Sequence, residues 1–307
     1  MEPLPEIYFL GNATRDIRIL HDRVVESPGG PPTFSLPLLC DFFPTSRITL
    51  FSSGKRDSVE HLQRYKSVNI ALQESSDTTT FELDYREEPR KLTLLKVADE
   101  LDAYDVLRRL SNTIPKIIFC NSVYREISDD LIIELHRRFP GTPIILDAQG
   151  FVRSRDPIGT VQISDWNPPK GLLQSITLLK ISREELTKKT LSLLTEDNAP
   201  NTIITLGAEG SLFIDKSEGN SLFTHFPALP IDKAIDVTGA GDIFLAGAGI
   251  AYSMRNNVQS AISFGTALVW SVMSGSKKKE FGSLVDIIAS KTEEISSEAV
   301  KNLFWEN

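Results

Sequence analysis

The stretch of this chain best suited to chemistry is Asp236-Val237-Thr238-Gly239-Ala240-Gly241-Asp242, which runs directly into the apolar segment Ile243-Phe244-Leu245-Ala246-Gly247-Ala248. Two glycines around an alanine leave the backbone uncovered and free to take unusual angles. A Gly-rich turn that opens a helix aims unpaired N–H groups and the positive end of the helix dipole at one place. That place suits a phosphate or a developing anion. A carboxylate there repels phosphate, so Asp242 needs a different task. The chemical one is to take a proton from a hydroxyl that attacks phosphorus. The structural one is a first-turn carboxylate favoured by the dipole. Two other phosphate motifs fail. The chain has no Gly-x-x-x-x-Gly-Lys-Ser/Thr, and Phe244 stands where a dinucleotide Gly-x-Gly-x-x-Gly needs glycine.

The elements that must position this stretch fall into two patterns. In the first third, Ile7-Tyr8-Phe9-Leu10 reads as a buried strand. Residues 17–26 read as a short hairpin turning at His21-Asp22-Arg23, and Pro31-Pro32 as the first turn of a helix to about Phe43. A strand over 47–53, a short helix over 57–65 capped by Asp57, and a strand over 68–73 follow. A second hairpin runs from Thr78 to Val97 around Glu87-Glu88-Pro89. Together the hairpins predict a small sheet over one edge, a lid formed by about 13–28 and 76–98. From Ile117 strands and helices alternate. Strands are expected at 117–120, 143–147, 176–181 and 202–206, helices at 128–139 and 183–194, and an antiparallel pair at 212–215 and 222–226. The Gly239 helix reaches about Tyr252, and helices over 258–273 and 283–304 end the chain. This predicts one domain over 1–307: a three-layer α/β fold with a mostly parallel central sheet, whose ligands bind beyond the C-terminal strand ends.

Composition narrows the function. Apolar content of 41% and charged content of 24% are ordinary for a globular protein. A net charge of −8 without a long basic run argues against nucleic acid and anionic membranes as partners. The one basic triplet, Lys277-Lys278-Lys279, reads as a solvated loop, and the four histidines have no metal spacing. Cys40 and Cys120 read as buried free thiols of a cytoplasmic protein, and the N-terminus has no signal-peptide profile. No nucleophile–base constellation points to a hydrolase.

The whole string from Asp236 to Asp242 resembles the second signature of the ribokinase-like sugar kinases, the PfkB family. The resemblance implies a ribokinase-like fold with a β lid, and ATP and Mg²⁺ as co-substrate and cofactor. It implies Asp242 as catalytic base and the amides of Gly239, Ala240 and Gly241 as the anion hole. Asp16, in Gly11-Asn12-Ala13-Thr14-Arg15-Asp16, has the place of the family carboxylate that holds two substrate hydroxyls; by itself it reads as a turn residue. Asn12 belongs to the same stretch. Gly29 and Gly30 match the glycine pair beside the substrate, but Pro31-Pro32-Thr33 stands where the usual signature has Asn. Thr205-Leu206-Gly207-Ala208-Glu209-Gly210 is similar to the nucleotide loop, with Thr205, Gly207, Gly210, Gly239 and Gly241 toward the nucleotide; the alternative is a plain turn. Ser182-Arg183-Glu184-Glu185 replaces Asn-x-x-Glu, so Glu185 reads either as a capping-box acid or as the carboxylate that helps hold hydrated magnesium.

Asn121, Gln149 and Arg153 follow strand ends, where they face either a polar ligand or water. Within the family, Thr78-Thr79-Thr80-Phe81-Glu82-Leu83, Arg90 to Leu95 and Asp147-Ala148-Gln149-Gly150-Phe151-Val152-Arg153 look like the myo-inositol kinase branch. The expected activity is phosphoryl transfer from ATP to a hydroxyl of a small polyol, myo-inositol first. The alternatives are another sugar or a nucleoside as acceptor, or a non-catalytic binding protein on the same fold. An open lid edge would favour a homodimer.

Overall fold

The computed structural model describes residues 5–86, 90–216, 221–231, 238–275 and 281–305. Asp236 and Val237 of the Gly-rich motif, the Glu87-Glu88-Pro89 turn and Lys277–Lys279 lie outside the described residues.

β1 (Glu6–Leu10) is buried throughout, as its unbroken apolar run requires of a strand covered on both faces. β2 (Thr14–Ile19) and β3 (Val24–Gly29) form the first hairpin. α1 (Pro31–Phe42) starts on its two prolines, whose fixed φ and missing N–H suit a first turn. β4 (Arg47–Gly54), β5 (Val68–Glu74), β6 (Thr80–Asp84) and β7 (Lys91–Lys96) follow. The short helix expected between β4 and β5 is a 3-10 segment, Arg56–Leu62, capped at Lys55. Asp57 does not cap it. Its carboxylate accepts from Arg15 at 3.1 Å instead.

α2 (Ala103–Arg109), absent from the sequence expectation, starts where Asp102 accepts from the Asp105 N–H. β8 (Ile117–Asn121), α3 (Asp129–Arg138) and β9 (Ile144–Asp147) keep the expected alternation. A stretch that read as loop holds α4 (Gln149–Val152), the antiparallel pair β10 (Arg153–Arg155) and β11 (Val161–Ile163), and α5 (Leu172–Ser175). After β12 (Leu178–Ser182) the helix expected over 183–194 is broken. A 3-10 turn, Arg183–Glu185, gives way to α6 (Lys188–Leu194), because Leu186 and Thr187 are extended and Thr187 caps a new start. β13 (Asn201–Thr205), β14 (Ser211–Asp215) and β15 (Leu222–Phe226) precede α7 (Ala240–Arg255) and α8 (Val258–Met273). The helix expected over 283–304 is two, α9 (Phe281–Ser290) and α10 (Ser297–Trp305). Between them β16 (Glu293–Glu294) leaves the helical path to pair with β15.

The large sheet has the order β16-β15-β14-β13-β12-β9-β8-β1-β4-β5. From β13 to β5 every neighbouring pair is parallel; from β13 to β16 the pairs are antiparallel. Two separate cores cover its faces. One packs Leu131, Leu135, Leu191, Leu194 and Val300 from α3, α6 and α10; the other packs Leu36, Leu39, Leu245, Ile250 and Ile262 from α1, α7 and α8. This is the expected three-layer α/β fold with a mostly parallel centre. The two hairpins join as a second sheet, β3-β2-β6-β7, in which β2 and β6 are parallel. Cys120 is fully buried and Cys40 only partly; neither is in a disulfide. Trp166 is a packed loop aromatic, 6.0 Å from the Phe151 ring. No described helix is long and apolar enough to cross a membrane.

Phe119 of β8 stacks on Phe9 of β1, ring centroids 5.7 Å apart, in the middle of the sheet. Phe119→Ala is expected to cost about 3–5 kcal/mol. A urea unfolding midpoint that falls accordingly, with an unchanged slope, checks it.

Candidate active site

The C-terminal ends of β4, β1, β8, β9, β12 and β13 lie side by side in the sheet. Asn12, Asn121, Gln149, Arg153, Glu185 and the 205–210 loop end or follow one of them. Asp16, Gly29 and Gly30 come from the β2–β3 hairpin and its exit, and the Gly239 turn follows β15. At the centre, Gly239 caps α7 at φ 78°, the left-handed region that a side chain disfavours. A Cβ there would also overlap the Phe34 ring of α1. The turn and helix are therefore pressed against α1, and the Ser35 hydroxyl donates to the Asp242 carbonyl at 3.2 Å. Asp242 stands in the first turn of α7, as the sequence predicts. Gly239, Ala240 and Gly241 lie just before it, where α7's first N–H groups have no partner within the helix.

Beneath the turn runs a buried ion pair that the sequence reading missed. The Lys180 ammonium donates to the Asp147 carboxylate at 3.0 Å, and both side chains are nearly inaccessible. Burial works against the Lys180 charge, but Asp147 and Glu185 outweigh it and hold the ammonium above its usual range. Lys180 Nζ also lies 3.1 Å from where a Cβ on Gly241 would stand, so the cation sits directly against the turn. A signal was available: Lys180 interrupts the apolar run Leu178-Leu179-Lys180-Ile181, and a charge in a fully buried strand needs a partner. Asp147 pairs with Lys180 in register on the neighbouring strand.

Asp242 carries the largest consequence of this setting. Desolvation pushes its carboxyl up to about 7, and the negative charge of Asp147 adds to it; Lys180 and Arg153 pull it down, and Asp16 pushes it up again. Those four side chains are thus the charged groups that act on the proposed base. Asp16 is buried, in β2. Desolvation raises it too, against the Thr14 hydroxyl, which donates at 2.7 Å, and the charges of Arg18, Arg90 and Arg153. A Cβ on Gly29 would occupy the space of the Asp16 carboxylate, so the glycine is required by the acid across the hairpin. Gly30 follows at the start of α1.

The remaining candidates divide. Asn12 is fully buried, and its side-chain oxygen already accepts from the Ser53 N–H at 2.6 Å; its Nδ2 has no partner among the described residues. Asn121, on the neighbouring strand, is equally buried, with both amide atoms unpartnered among the described residues. Gln149 opens α4 and is partly exposed, its N–H donating to Asp147 at 3.1 Å. Arg153 donates to Glu185 at 3.0 Å in a second, largely buried pair.

Glu185 has both oxygens in use. One accepts from Arg153 and the other from the Ser182 N–H at 3.2 Å, the capping-box contact. Burial alone would raise its carboxyl, but Arg153 and Lys180 outweigh it and keep it below the usual range. It is therefore charged, and both readings of Glu185 draw on one carboxylate. Among the described residues no group of three or more His, Cys, Asp or Glu side chains is arranged to hold a metal directly. One charged carboxylate, Glu185, is present where a magnesium ion held mainly by water and phosphate would need few protein ligands.

The loop expected to meet the nucleotide is a 3-10 turn, Gly207–Glu209. Thr205 ends β13, and nothing lies within 4 Å of a Cβ built on Gly207. Gly210 is needed by the fold itself, because a Cβ there would overlap the Phe226 carbonyl. Arg183 grips this loop through a two-point pair with Glu209, at 2.7 and 3.0 Å.

A family model described as pfkB family carbohydrate kinase matches residues 172–272, the segment that carries Lys180, Glu185, the Gly207 loop and Asp242. No curated protein matches the chain. Solved structures match along nearly its whole length. A pyrophosphate-dependent kinase in the ribokinase family, in complex with sulfate, superposes with a TM-score of 0.72 at 21% identity, over 91% of this chain and 99% of that one. Another structure of such a kinase, bound to a pyrophosphate analog and myo-inositol, gives 0.70 at 21%, over 91% and 98%. Ribokinase from Arabidopsis thaliana, complexed with ribose and ATP, gives 0.66 at 16%, over 92% and 99%. The fold is that of the ribokinase-like kinases.

Two measurements follow from the charges around Asp242. The folded-state carboxyl lies near 7 rather than near 4, so its ionisation weakens folding as pH rises between those values. Asp242→Asn should then raise the melting temperature by about 2–5 °C at pH 8, and change it little at pH 4. Lys180 lowers the Asp242 carboxyl, so the acidic limb of any activity profile should start near pH 7 and move to higher pH in Lys180→Met. A limb that stays in place would show that another group titrates.

Proposed function

We propose that this protein is a phosphotransferase that moves a phosphoryl group to a hydroxyl of a small polyol or sugar, with Asp242 as the base. The observation that carries this reading is a carboxyl raised to about 7 in the first turn of a helix opened by a Gly-Ala-Gly turn. A group of that affinity accepts a proton from an attacking hydroxyl and returns it to solvent near neutral pH. The amides of Gly239, Ala240 and Gly241, with Lys180 against them, supply positive potential where charge spreads over the transferring group. Asp16 accepts from two acceptor hydroxyls and holds the third toward Asp242. Asn12 Nδ2, the Asn121 amide and Gln149 complete a neutral hydrogen-bonding surface for the polyol.

Arg153 faces both parts, since its charge bears on Asp16 and on Asp242. Glu185 holds Arg153 and would hold, through water, a magnesium ion whose charge would offset that of the donor phosphates. The second sheet, with the hairpins it joins, acts as a lid that keeps water from competing as acceptor. Thr205, Gly207, Gly210, Gly239 and Gly241 form the donor side, with ATP as the first donor to test. The pyrophosphate-dependent kinases among the similar structures favour pyrophosphate as a second reading. Myo-inositol is the preferred acceptor, supported by the residues from Asp147 to Arg153 and by the myo-inositol complex among those structures. Among the described residues β3 is an edge strand of the small sheet, which suits pairing of two copies.

The deciding experiment offers Mg-ATP or Mg-pyrophosphate with myo-inositol, ribose, fructose, 2-keto-3-deoxygluconate and nucleosides, and follows phosphorylated product. Product from one donor–acceptor pair is expected, with Asp242→Asn lowering kcat by about 100- to 10,000-fold while the donor still binds. Near-normal turnover in that variant removes Asp242 from the mechanism, and silence across the panel leaves a binding protein. Glu185→Gln is expected to raise the magnesium concentration for half-maximal rate by about tenfold. An unchanged magnesium requirement leaves Glu185 the cap and Arg153 partner alone.

A further inference from the structure

The second sheet makes a contact with the Gly-rich turn that the proposed mechanism does not use. Tyr85, just past β6, places its hydroxyl 3.3 Å from the Thr238 hydroxyl, the residue before Gly239. On its other side the same phenol oxygen accepts from Arg90 Nη1 at 2.9 Å, and the guanidinium lies 5.6 Å from the centre of the Tyr85 ring. Arg90 leads into β7, so it approaches Tyr85 from the opposite strand of the hairpin.

A guanidinium can only donate, so Arg90 donates to the phenol oxygen. That oxygen keeps further acceptor capacity and its own hydrogen, so either hydroxyl can be the donor between Tyr85 and Thr238. The three side chains form one chain: Arg90, Tyr85, Thr238. Bonds from a charged donor are the stronger kind, and each link polarises the next. The chain joins the hairpin that neighbours β2, with Asp16, to the turn that begins α7, with Asp242.

We propose that Tyr85 is a positioning residue that braces the small sheet against the anion-hole turn and anchors the Arg90 guanidinium at that brace. The inference rests on the kinase reading above and extends it to residues outside the Gly-rich motif. Tyr85 touches neither the acceptor carboxylate nor the base. It sets the distance between the elements that carry them, and it gives the exposed Arg90 a fixed partner. A misplacement of reacting groups by about 1 Å is enough to cost a large factor in rate.

The test is a cycle of Tyr85→Phe, Arg90→Gln and the double variant, assayed with the donor–acceptor pair found in the panel. Tyr85→Phe keeps the ring and removes only the hydroxyl. It is expected to lower kcat about 10- to 100-fold with KM for the donor within about twofold. Because both residues act through one chain, the double variant should lose no more than the worse single one. Losses that multiply, an unchanged kcat, or a change confined to KM overturns the proposal. A readout without turnover keeps it separate from the kinase reading. Backbone hydrogen exchange in β6 and β7 should quicken at least tenfold in Tyr85→Phe, with β8 and α8 unchanged. If wild-type protein phosphorylates nothing, the kinase reading fails, and the exchange result alone decides the brace. Exchange identical to wild type then overturns it.

Discussion

Everything at the C-terminal edge of the large sheet depends on the buried pair between Lys180 and Asp147. Two adjacent parallel strands each bring one charge to the same level, and neither charge could stay in that interior alone. Their attraction leaves a cation directly under a turn whose backbone already points positive. In the proposed mechanism the turn holds an anion because of what lies below it as much as because of its own amides. The same arrangement explains the second buried pair. Arg153 and Glu185 flank the first, and each reduces the cost of the other's charge in a setting poor in water. A small network of alternating signs thus surrounds one carboxylate that burial holds near neutrality, Asp242.

This division of labour separates two acids that look alike in the sequence. Asp16 and Asp242 are both raised by burial. Asp16, however, accepts a hydrogen bond from Thr14 and lies near three arginines, whereas Asp242 has Asp147 beside it. Environment, rather than residue type, assigns one to holding and the other to proton transfer in the proposed mechanism.

The layered architecture was legible because its strands are either continuously apolar or plainly alternating, and because Pro31-Pro32, Ser128 and the Gly-rich turn mark helix starts. Asp242's place in a first turn was readable from spacing alone. The breaks were not. Residues 183–194 and 283–304 keep helical periodicity through points where Thr187 caps a new helix and Glu293–Glu294 pair with β15. Those interruptions come from tertiary bonding, which periodicity does not record. The pair beneath the turn left a trace, a lysine inside an apolar strand, but its partner lies 33 residues earlier in the chain. Tyr85 left none: its link to Thr238 spans 153 residues and depends on how two sheets meet.

The small sheet is assembled from pieces that are remote along the chain. β2 and β6 run parallel, with Asp16 opposite Phe81, and the segment between them holds α1, β4 and β5. A parallel pair cannot form as a simple hairpin, and closing so long a loop costs entropy before any contact repays it. The large sheet closes such loops too, between β1 and β8, but it has helices packed on both faces, whereas the small one stands apart with four strands. In the proposed mechanism Asp16 is carried by the small sheet and Asp242 by a helix of the large one. A change that loosens the small sheet would therefore disarm the proposed acceptor side while the main core still stands.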